Sequence, residues 1–297
     1  MLASLLAYLS PLPIMIAALG WSHWAGLLAA LGAGAGLGTL LGPWYFVSFL
    51  LGVGLPAWWL AYLALLARPA GNQPRLEWYP AGRIVLWAAL LATASITIAL
   101  LQLGTDRAAV QGALRSALTE VIRAHAPGSS LIGTLAADEP DDLLDVFVVL
   151  LPPAAAVTFV IINCFNLWLA GRVVLVSGRL PRPWPAVSDL SLPIIAPVLL
   201  ALALAGVFAP DLVGVVSGVL AASLMVAHVM VGLAVIHALT AGVNSRALIL
   251  AGIYAGLVIL GFQTSWAPFS LAALGLGETL FGIRGRMARR VRPGQHP

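Results

Sequence analysis

The first 67 residues of this 297-residue chain contain no charged side chain, and Arg68 is the first charged residue. Such a stretch cannot form the surface of a water-soluble domain, because soluble domains carry roughly 25% charged residues. The chain as a whole is 9% charged and 61% hydrophobic. The sequence therefore predicts an integral membrane protein.

Composition excludes several classes of function. All fifteen basic residues are arginines, and without lysine neither a P-loop nor a lysine Schiff base can form. Cys164 is the only cysteine, which excludes a disulfide framework and a Cys-x-x-Cys metal site within one chain. The arginines lie at the ends of apolar segments, where they serve topology rather than nucleic-acid binding. We expect no metal, no cofactor and no nucleic-acid partner.

Apolar segments of about 20 residues, the length of a membrane-spanning helix, recur along the chain. They lie at 2–20, 24–42, 44–67, 84–104, 153–178, 191–209 and 212–240. A last apolar run, 247–283, is interrupted at 263–268 and forms either two short crossings or a re-entrant hairpin. The sequence thus predicts an all-α fold. Residues 1–283 would form one polytopic transmembrane helix bundle of about eight or nine segments, and 284–297 a basic cytoplasmic tail.

The distribution of arginine orients these segments, because loops that stay in the cytoplasm are enriched in basic residues. Three groups of arginines mark cytoplasmic regions: Arg68, Arg75 and Arg83; Arg172, Arg179 and Arg182; and Arg284, Arg286, Arg289, Arg290 and Arg292. Residues 105–145 contain seven acids and three arginines, so we place this loop outside the cytoplasm. The predicted location is the cell inner membrane, in contact with membrane lipid.

The acidic loop contains an amphipathic helix of its own. Apolar residues recur in it at three- and four-residue spacing: Val110, Leu114, Leu118, Val121 and Ile122. Polar residues occupy the other faces, and the segment is too polar to span a membrane. We expect an extracytoplasmic amphipathic helix that lies along the outer interface or caps the bundle.

Small residues form a stripe along the segment 24–42. Gly26, Ala30, Gly34, Gly38 and Gly42 follow one another at intervals of four, which places them on one helix face. In lipid, such a stripe lets two helix backbones approach closely. We expect helix packing here rather than a nucleotide-binding loop, because no strand precedes the glycines and no acidic partner follows them.

Three polar residues lie near the middle of predicted spanning segments. Asn163 and Asn166 are three residues apart on one face of the segment 153–178, and His228 lies midway along 212–240. Polar side chains at membrane depth need partners and often mark a pathway or pocket. The alternative is that they make contacts between helices that hold the bundle together. All three are candidate ligand-binding residues.

Four further ligand-binding candidates lie toward the C-terminus: His237, Gln263, Trp266 and Glu278. His237 follows His228 by nine positions, which rotates it to the opposite helix face, so the two are not expected to share a metal. Gln263 and Trp266 flank the break in the last apolar run. Glu278 is the only acid in that run, and for it the alternative to a ligand role is pairing with an arginine of the tail.

One motif in the acidic loop points to an enzyme. Asp141, Asp142 and Asp145 match the DDxxD pattern by which prenyl-transfer enzymes hold magnesium and diphosphate, and Asp141 and Asp145 would share a helix face. Acidic residues also suit a helix N-terminus. A diphosphate site needs a second acidic cluster, and the other aspartates are isolated. A lipid-diphosphate enzyme is therefore the least favoured alternative, and we expect no catalytic residue.

Five short stretches carry a resemblance to known proteins. They are Tyr-Leu-Ser-Pro-Leu-Pro at 8–13, Leu-Pro-Ala-Trp-Trp-Leu at 55–60, Asn-Leu-Trp-Leu-Ala at 166–170, Gly-Leu-Ala-Val-Ile-His at 232–237 and Leu-Gly-Leu-Gly-Glu at 274–278. Together they resemble the YybS-like family of bacterial polytopic membrane proteins of unknown function. That family is more distantly similar to the S components of energy-coupling-factor transporters, which bind vitamins or metal ions and dock on an ATPase module. The resemblance implies a helix bundle that binds a small molecule.

Two hypotheses about function follow. The first is a membrane protein that binds a small ligand within its helix bundle, with transport as the further step. The second is a non-catalytic scaffold or partner subunit of an envelope or cytoplasmic machine, which would contact a protein partner through the arginine tail.

Overall fold

Helices make up most of the chain. The computed structural model describes residues 6–71, 76–125, 141–263 and 266–291. Its α-helices are α1 (Pro11–Gly20), α2 (His23–Leu41), α3 (Pro43–Phe49), α4 (Leu55–Leu65), α5 (Ala81–Leu103), α6 (Arg107–His125), α7 (Asp141–Val176), α8 (Ile195–Gly206), α9 (Asp211–Leu239), α10 (Arg246–Gln263), α11 (Trp266–Phe281) and α12 (Ile283–Val291). The predicted all-α class is confirmed.

Three smaller elements connect the helices. A π-helical turn, Leu50–Gly54, joins α3 to α4, and a 3-10 turn, Val187–Asp189, lies between α7 and α8. Strands β1 (Ala67–Pro69) and β2 (Leu76–Trp78) pair antiparallel between α4 and α5.

Five helical segments are long and apolar enough to cross a membrane. They are His23–Leu41, Pro43–Leu65, Ala81–Leu103, Leu144–Val176 and Asp211–Leu239. Three more apolar helices are shorter: Leu6–Gly20, Ile195–Gly206 and Arg246–Leu257. These segments are consistent with a multi-pass membrane protein. The total of eight or nine crossings stays a prediction.

Helix α9 lies at the centre of the bundle. It packs against α5, α7, α8 and α11, while α1 packs against α2, α4 and α7. Buried residues recur along α9 between Gly214 and Val235. An apolar surface on all faces is typical of a helix that is buried in a core or spans a membrane, and α9 has such a surface.

The glycine stripe of α2 packs closely against neighbouring helices, as the sequence predicts. A Cβ atom at Gly26 would lie 2.5 Å from the Ala18 Cβ of α1, and one at Gly38 would lie 2.9 Å from the Phe46 Cβ of α3. Gly32 and Gly36, on the other side of α2, have open space where a side chain would be. The stripe therefore lets α1 and α3 approach the backbone of α2.

A second close approach joins α9 to α11. A Cβ atom at Gly275 would collide with the carbonyl oxygen of His228, and one at Gly232 would collide with the carbonyl oxygen of Leu271. The two helix backbones are therefore in contact, an arrangement that only glycine allows at both positions.

Helix α7 extends well before the apolar segment 153–178 that the sequence shows. It begins at Asp141, where acidic residues suit a helix N-terminus, and both Pro152 and Pro153 lie inside Asp141–Val176. Prolines are tolerated in such helices where neighbouring helices pack against the break. Here Val110 of α6 and Gly214 of α9 share with the two prolines a cavity of about 170 Å³.

Helix α6 follows the predicted amphipathic spacing only in part, because Val121 is placed by that spacing on the apolar face with Val110. Val110 is buried, whereas Val121 is exposed, and α6 packs on α5, α7 and α9. The side chain of Asp106 accepts a hydrogen bond from the Ala109 N–H at the start of the helix, at 2.8 Å. Helix α6 therefore caps one end of the bundle.

The other end, which we call the arginine end, is formed by the α4–α5 and α7–α8 connections and the α11–α12 junction. Arg182 donates a hydrogen bond to the Ala64 carbonyl at 2.9 Å, and Arg284 donates one to the Leu190 carbonyl at 2.9 Å. Arg179 lies over the Trp21 ring, 4.6 Å from its centroid. Described members of the arginine groups, among them Arg179, Arg182 and Arg284, thus lie at one end of the bundle.

Candidate functional site

Asn166, one of the sequence-predicted candidates, joins two parts of the chain that are 158 residues apart through a side-chain hydrogen bond. It is fully buried in α7. Its Nδ2 donates to the Ile162 carbonyl of its own helix and to the Tyr8 carbonyl, both at 2.8 Å. The bond to Tyr8 links α7 to the chain just before α1.

The Tyr8 carbonyl is free for this bond because the helix is broken beside it. In a continuous helix it would accept the N–H of Leu12, but that N–H donates to the Leu9 carbonyl at 3.0 Å. Pro11 and Pro13 have no N–H to offer this turn. The Ser-Pro-Leu-Pro run therefore indicates in the sequence that the helix is broken here and that a carbonyl is left without its usual donor. It does not indicate that Asn166 is the donor.

The oxygen atoms of both amides remain unpaired. Asn163 is 2% exposed, and its Nδ2 donates to the Phe159 carbonyl one turn earlier at 3.0 Å. The Oδ1 atoms of Asn163 and Asn166 are buried without a hydrogen-bond partner. An unpaired buried acceptor costs about 1–3 kcal/mol, so both atoms could gain from a donor.

A groove lies beside Asn166. It has a volume of about 580 Å³ and is lined by Tyr8 and Leu9 before α1 and by Thr158, Ile161, Ile162, Phe165, Asn166 and Leu169 of α7. Ile161 and Phe165 are 53% and 51% exposed, so the groove opens on the outside of the bundle. Its walls are apolar apart from Asn166, Thr158 and the backbone around Tyr8.

His228 is buried elsewhere in the core. Its Nδ1 lies 2.8 Å from the Leu224 carbonyl of its own helix, and its Nε2 is buried without a partner. The structure joins it by no hydrogen bond to Asn163 or Asn166, and it does not line the groove beside Asn166. Its carbonyl lies at the α9–α11 contact. The three central candidates therefore do not form one polar cluster.

No described hydrogen bond joins the candidates near the C-terminus to one another. His237 is 2.9 Å from the Tyr254 hydroxyl through its Nε2. Trp266 begins α11 and is 80% exposed. The side chain of Gln263 lies outside the described residues. None of the contacts described for His237 and Trp266 connects them to the groove.

Glu278 is buried and holds an arginine. Its carboxylate accepts hydrogen bonds from the Arg284 Nε and backbone N–H, both at 2.9 Å. Arg284 also donates to the carbonyls of Ser188 and Leu190. The pair therefore fixes the α11–α12 junction against the connection between α7 and α8, and Arg284 packs into the bundle although the sequence assigned it to the tail.

The DDxxD motif is only partly described. Asp145 accepts a hydrogen bond from Arg115 of α6 at 2.9 Å, with both side chains partly exposed. The side chains of Asp141 and Asp142 lie outside the described residues. Among the residues that the structure describes, no three His, Cys, Asp or Glu side chains are grouped so that they could hold a metal ion.

Comparison of the chain with protein-family models, with curated proteins and with solved structures found no match. Its function is therefore argued from the site itself.

Proposed function

We propose that this protein is a multi-pass membrane protein that binds a small ligand in the groove beside Asn166. The observation that carries the proposal is that Asn166, whose Oδ1 atom is buried without a hydrogen-bond partner, lines a groove of about 580 Å³. A ligand that donates a hydrogen bond to this oxygen would recover the cost of burying it. The same contact would orient the ligand along α7.

The groove favours a particular kind of molecule. Ile161, Phe165 and Leu169 offer apolar contact, and the bilayer would cover the opening between them. A ligand that fits both features has an apolar body and one hydroxyl or amine donor. It would enter from the membrane rather than from water.

The proposed orientation places the arginine end in the cytoplasm and α6 on the outer side of a bacterial inner membrane. Support comes from the arginines that meet at one end of the bundle and from the acidic sequence of 105–145. The resemblance to the YybS-like family implies the same setting. Transport would use the broken start of α1, since interrupted helices bind substrates in many transporters.

Native mass spectrometry of the protein in a mild neutral detergent tests the proposal. We expect a bound small molecule on the wild-type protein, less of it on Asn166→Ala, and an unchanged amount on Asn244→Ala, which alters an exposed asparagine between α9 and α10. Asn166→Ala also removes the bond to Tyr8, so Ile161→Trp serves as a second variant that fills the groove and leaves that bond intact.

The molecules that stay bound to the protein in the mass spectrum decide the outcome. A wild-type protein without any bound small molecule would contradict the proposal, as would equal binding by Ile161→Trp. A stoichiometric protein partner recovered in place of a ligand would support the scaffold hypothesis.

A further inference from the structure

Arg182 is buried, unlike the other arginines whose partners the structure describes. It lies in the α7–α8 connection and is only 7% exposed. Its Nη1 donates to the Ala64 carbonyl at 2.9 Å, and its guanidinium carbon lies 5.7 Å from the centre of the Trp78 ring. Its Nε is buried without a hydrogen-bond partner. One donor of a buried cation is thus unused.

The charge of Arg182 has no carboxylate beside it in the described part of the chain. Arg68, Arg115 and Arg284 each pair with an acid at 2.8–2.9 Å, but no described carboxylate lies within 4 Å of Arg182. Burial lowers the pKa of the Arg182 guanidinium, and no neighbouring acid offsets this effect. A buried charge without a counter-charge is costly, so an anion at this position would stabilise the protein.

An apolar cavity of about 170 Å³ adjoins Arg182. It lies between α5, α7, α9 and the α7–α8 connection, and its walls include Val85, Cys164, Trp168, Trp184, Leu190 and Met230. Trp168, which lines the cavity, is 45% exposed. The cavity is smaller than the roughly 300 Å³ at which pockets for whole drug-sized ligands begin. It therefore suits a headgroup rather than a complete amphiphile.

The cavity is separate from the groove beside Asn166. Cys164 and Asn166 are two residues apart on α7, which places their side chains about 200° apart around the helix. Asn166 faces α1, and Cys164 faces the Arg182 cavity. Binding at one site can therefore be tested without altering the other.

We propose that the Arg182 cavity binds the anionic headgroup of a membrane amphiphile, a phosphate or a carboxylate on an apolar chain. Guanidinium groups form strong charge-assisted hydrogen bonds with both anions. Trp168, Trp184 and the apolar walls suit the first part of the chain, because tryptophan favours the depth at which headgroups meet the bilayer. The remainder of the chain would extend into the bilayer.

The test measures binding of dodecyl phosphate and dodecanoate to the full-length protein in a neutral detergent, by native mass spectrometry and by the shift in thermal unfolding. Dodecanol and inorganic phosphate are the reference probes, because each has only one half of the proposed ligand. We expect at least one of the anionic amphiphiles to bind about tenfold more tightly than dodecanol, the ratio that a charge-assisted hydrogen bond provides. Inorganic phosphate should bind more weakly than dodecyl phosphate.

Two variants locate the site. Arg182→Gln should remove the preference for the anion, whereas Arg172→Gln, which removes an exposed arginine of α7, should keep it. If Arg182→Gln does not fold, Ala186→Phe takes its place. Ala186 is exposed and lines the cavity, so an added ring can occupy the cavity while Arg182 stays.

Three results would overturn the proposal. Equal binding of dodecanol and both anionic amphiphiles would show that the cavity does not distinguish an anionic headgroup from a neutral one. Inorganic phosphate bound as tightly as dodecyl phosphate would show that the chain contributes nothing. An equal loss of preference in Arg172→Gln would assign the effect to the general charge of the arginine end. None of these results bears on the groove beside Asn166.

Discussion

Asn166 donates a hydrogen bond to the carbonyl oxygen of Tyr8, at 2.8 Å across a sequence separation of 158 residues. The bond pairs a polar side chain of one apolar helix with the backbone that a proline break leaves open before another. It serves the structural role that the sequence offered as the alternative for Asn166. The amide donates through its nitrogen, and its oxygen is buried without a hydrogen-bond partner.

Replacing Asn166 by alanine should lower the stability of the protein. The Tyr8 carbonyl would then be left without its donor, at a cost of about 1–3 kcal/mol. Asn244→Ala, in an exposed turn, should leave stability unchanged within about 0.5 kcal/mol. Thermal unfolding in detergent compares the two variants, and equal midpoints would show that the bond does not stabilise the fold.

Replacing Gly275 by alanine should separate α9 from α11. The new methyl group would meet the His228 carbonyl, so the helices must move apart at a cost of about 1–3 kcal/mol or more. Gly256→Ala on α10 is the matched control, because nothing lies within 4 Å of the added atom. That control should be neutral or gain up to about 1 kcal/mol of helix propensity. A destabilisation of the same size in both variants would contradict the close contact.

The two sides of α2 should respond oppositely to alanine. Gly26→Ala would press against Ala18 and the Ile14 carbonyl, and we expect it to lower the unfolding temperature. Gly36→Ala meets open space and should raise that temperature or leave it unchanged. Thermal unfolding of the two single variants measures the difference, which should vanish if the stripe does not face α1 and α3.

Glu278→Gln should loosen the α7–α8 connection. The substitution leaves Arg284 without its carboxylate, and breaking such a buried pair costs about 3–5 kcal/mol. We expect faster proteolysis of the connection, because Arg284 holds the carbonyls of Ser188 and Leu190. Glu77→Gln, which breaks the exposed pair with Arg68, should have little effect. Unchanged cleavage in Glu278→Gln would show that the connection is held by other contacts.

The exposed Glu77–Arg68 pair should weaken in acid. The Arg68 guanidinium lowers the pKa of Glu77, so the attraction is complete above the ordinary glutamate pKa and is lost as pH falls through the lowered value. The expected effect on unfolding is small because both side chains are exposed. NMR titration of the Glu77 carboxylate in wild type and in Arg68→Gln measures the shift in its pKa. Identical midpoints in the two proteins would contradict an interaction between Glu77 and Arg68.

The sequence by itself determined the helical class, the apolar segments, the grouping of arginines and the packing stripe of α2. These features follow from hydropathy and from spacing within single helices, which are local properties of the chain. The apolar segment 153–178 marks only the later part of α7, because the helix continues through Pro152 and Pro153 back to Asp141.

Only the tertiary structure decided which polar groups meet. Asn166 was a candidate from its depth alone, but its partner Tyr8 lies 158 residues away and depends on how α1 packs against α7. From the sequence, Arg182 was only one of the arginines that mark a cytoplasmic loop. The packing of α4 and α5 around it shows that it is a buried cation beside an apolar cavity. Spacing along the chain places residues on a helix face, whereas the contacts of that face are set by the helices that pack against it.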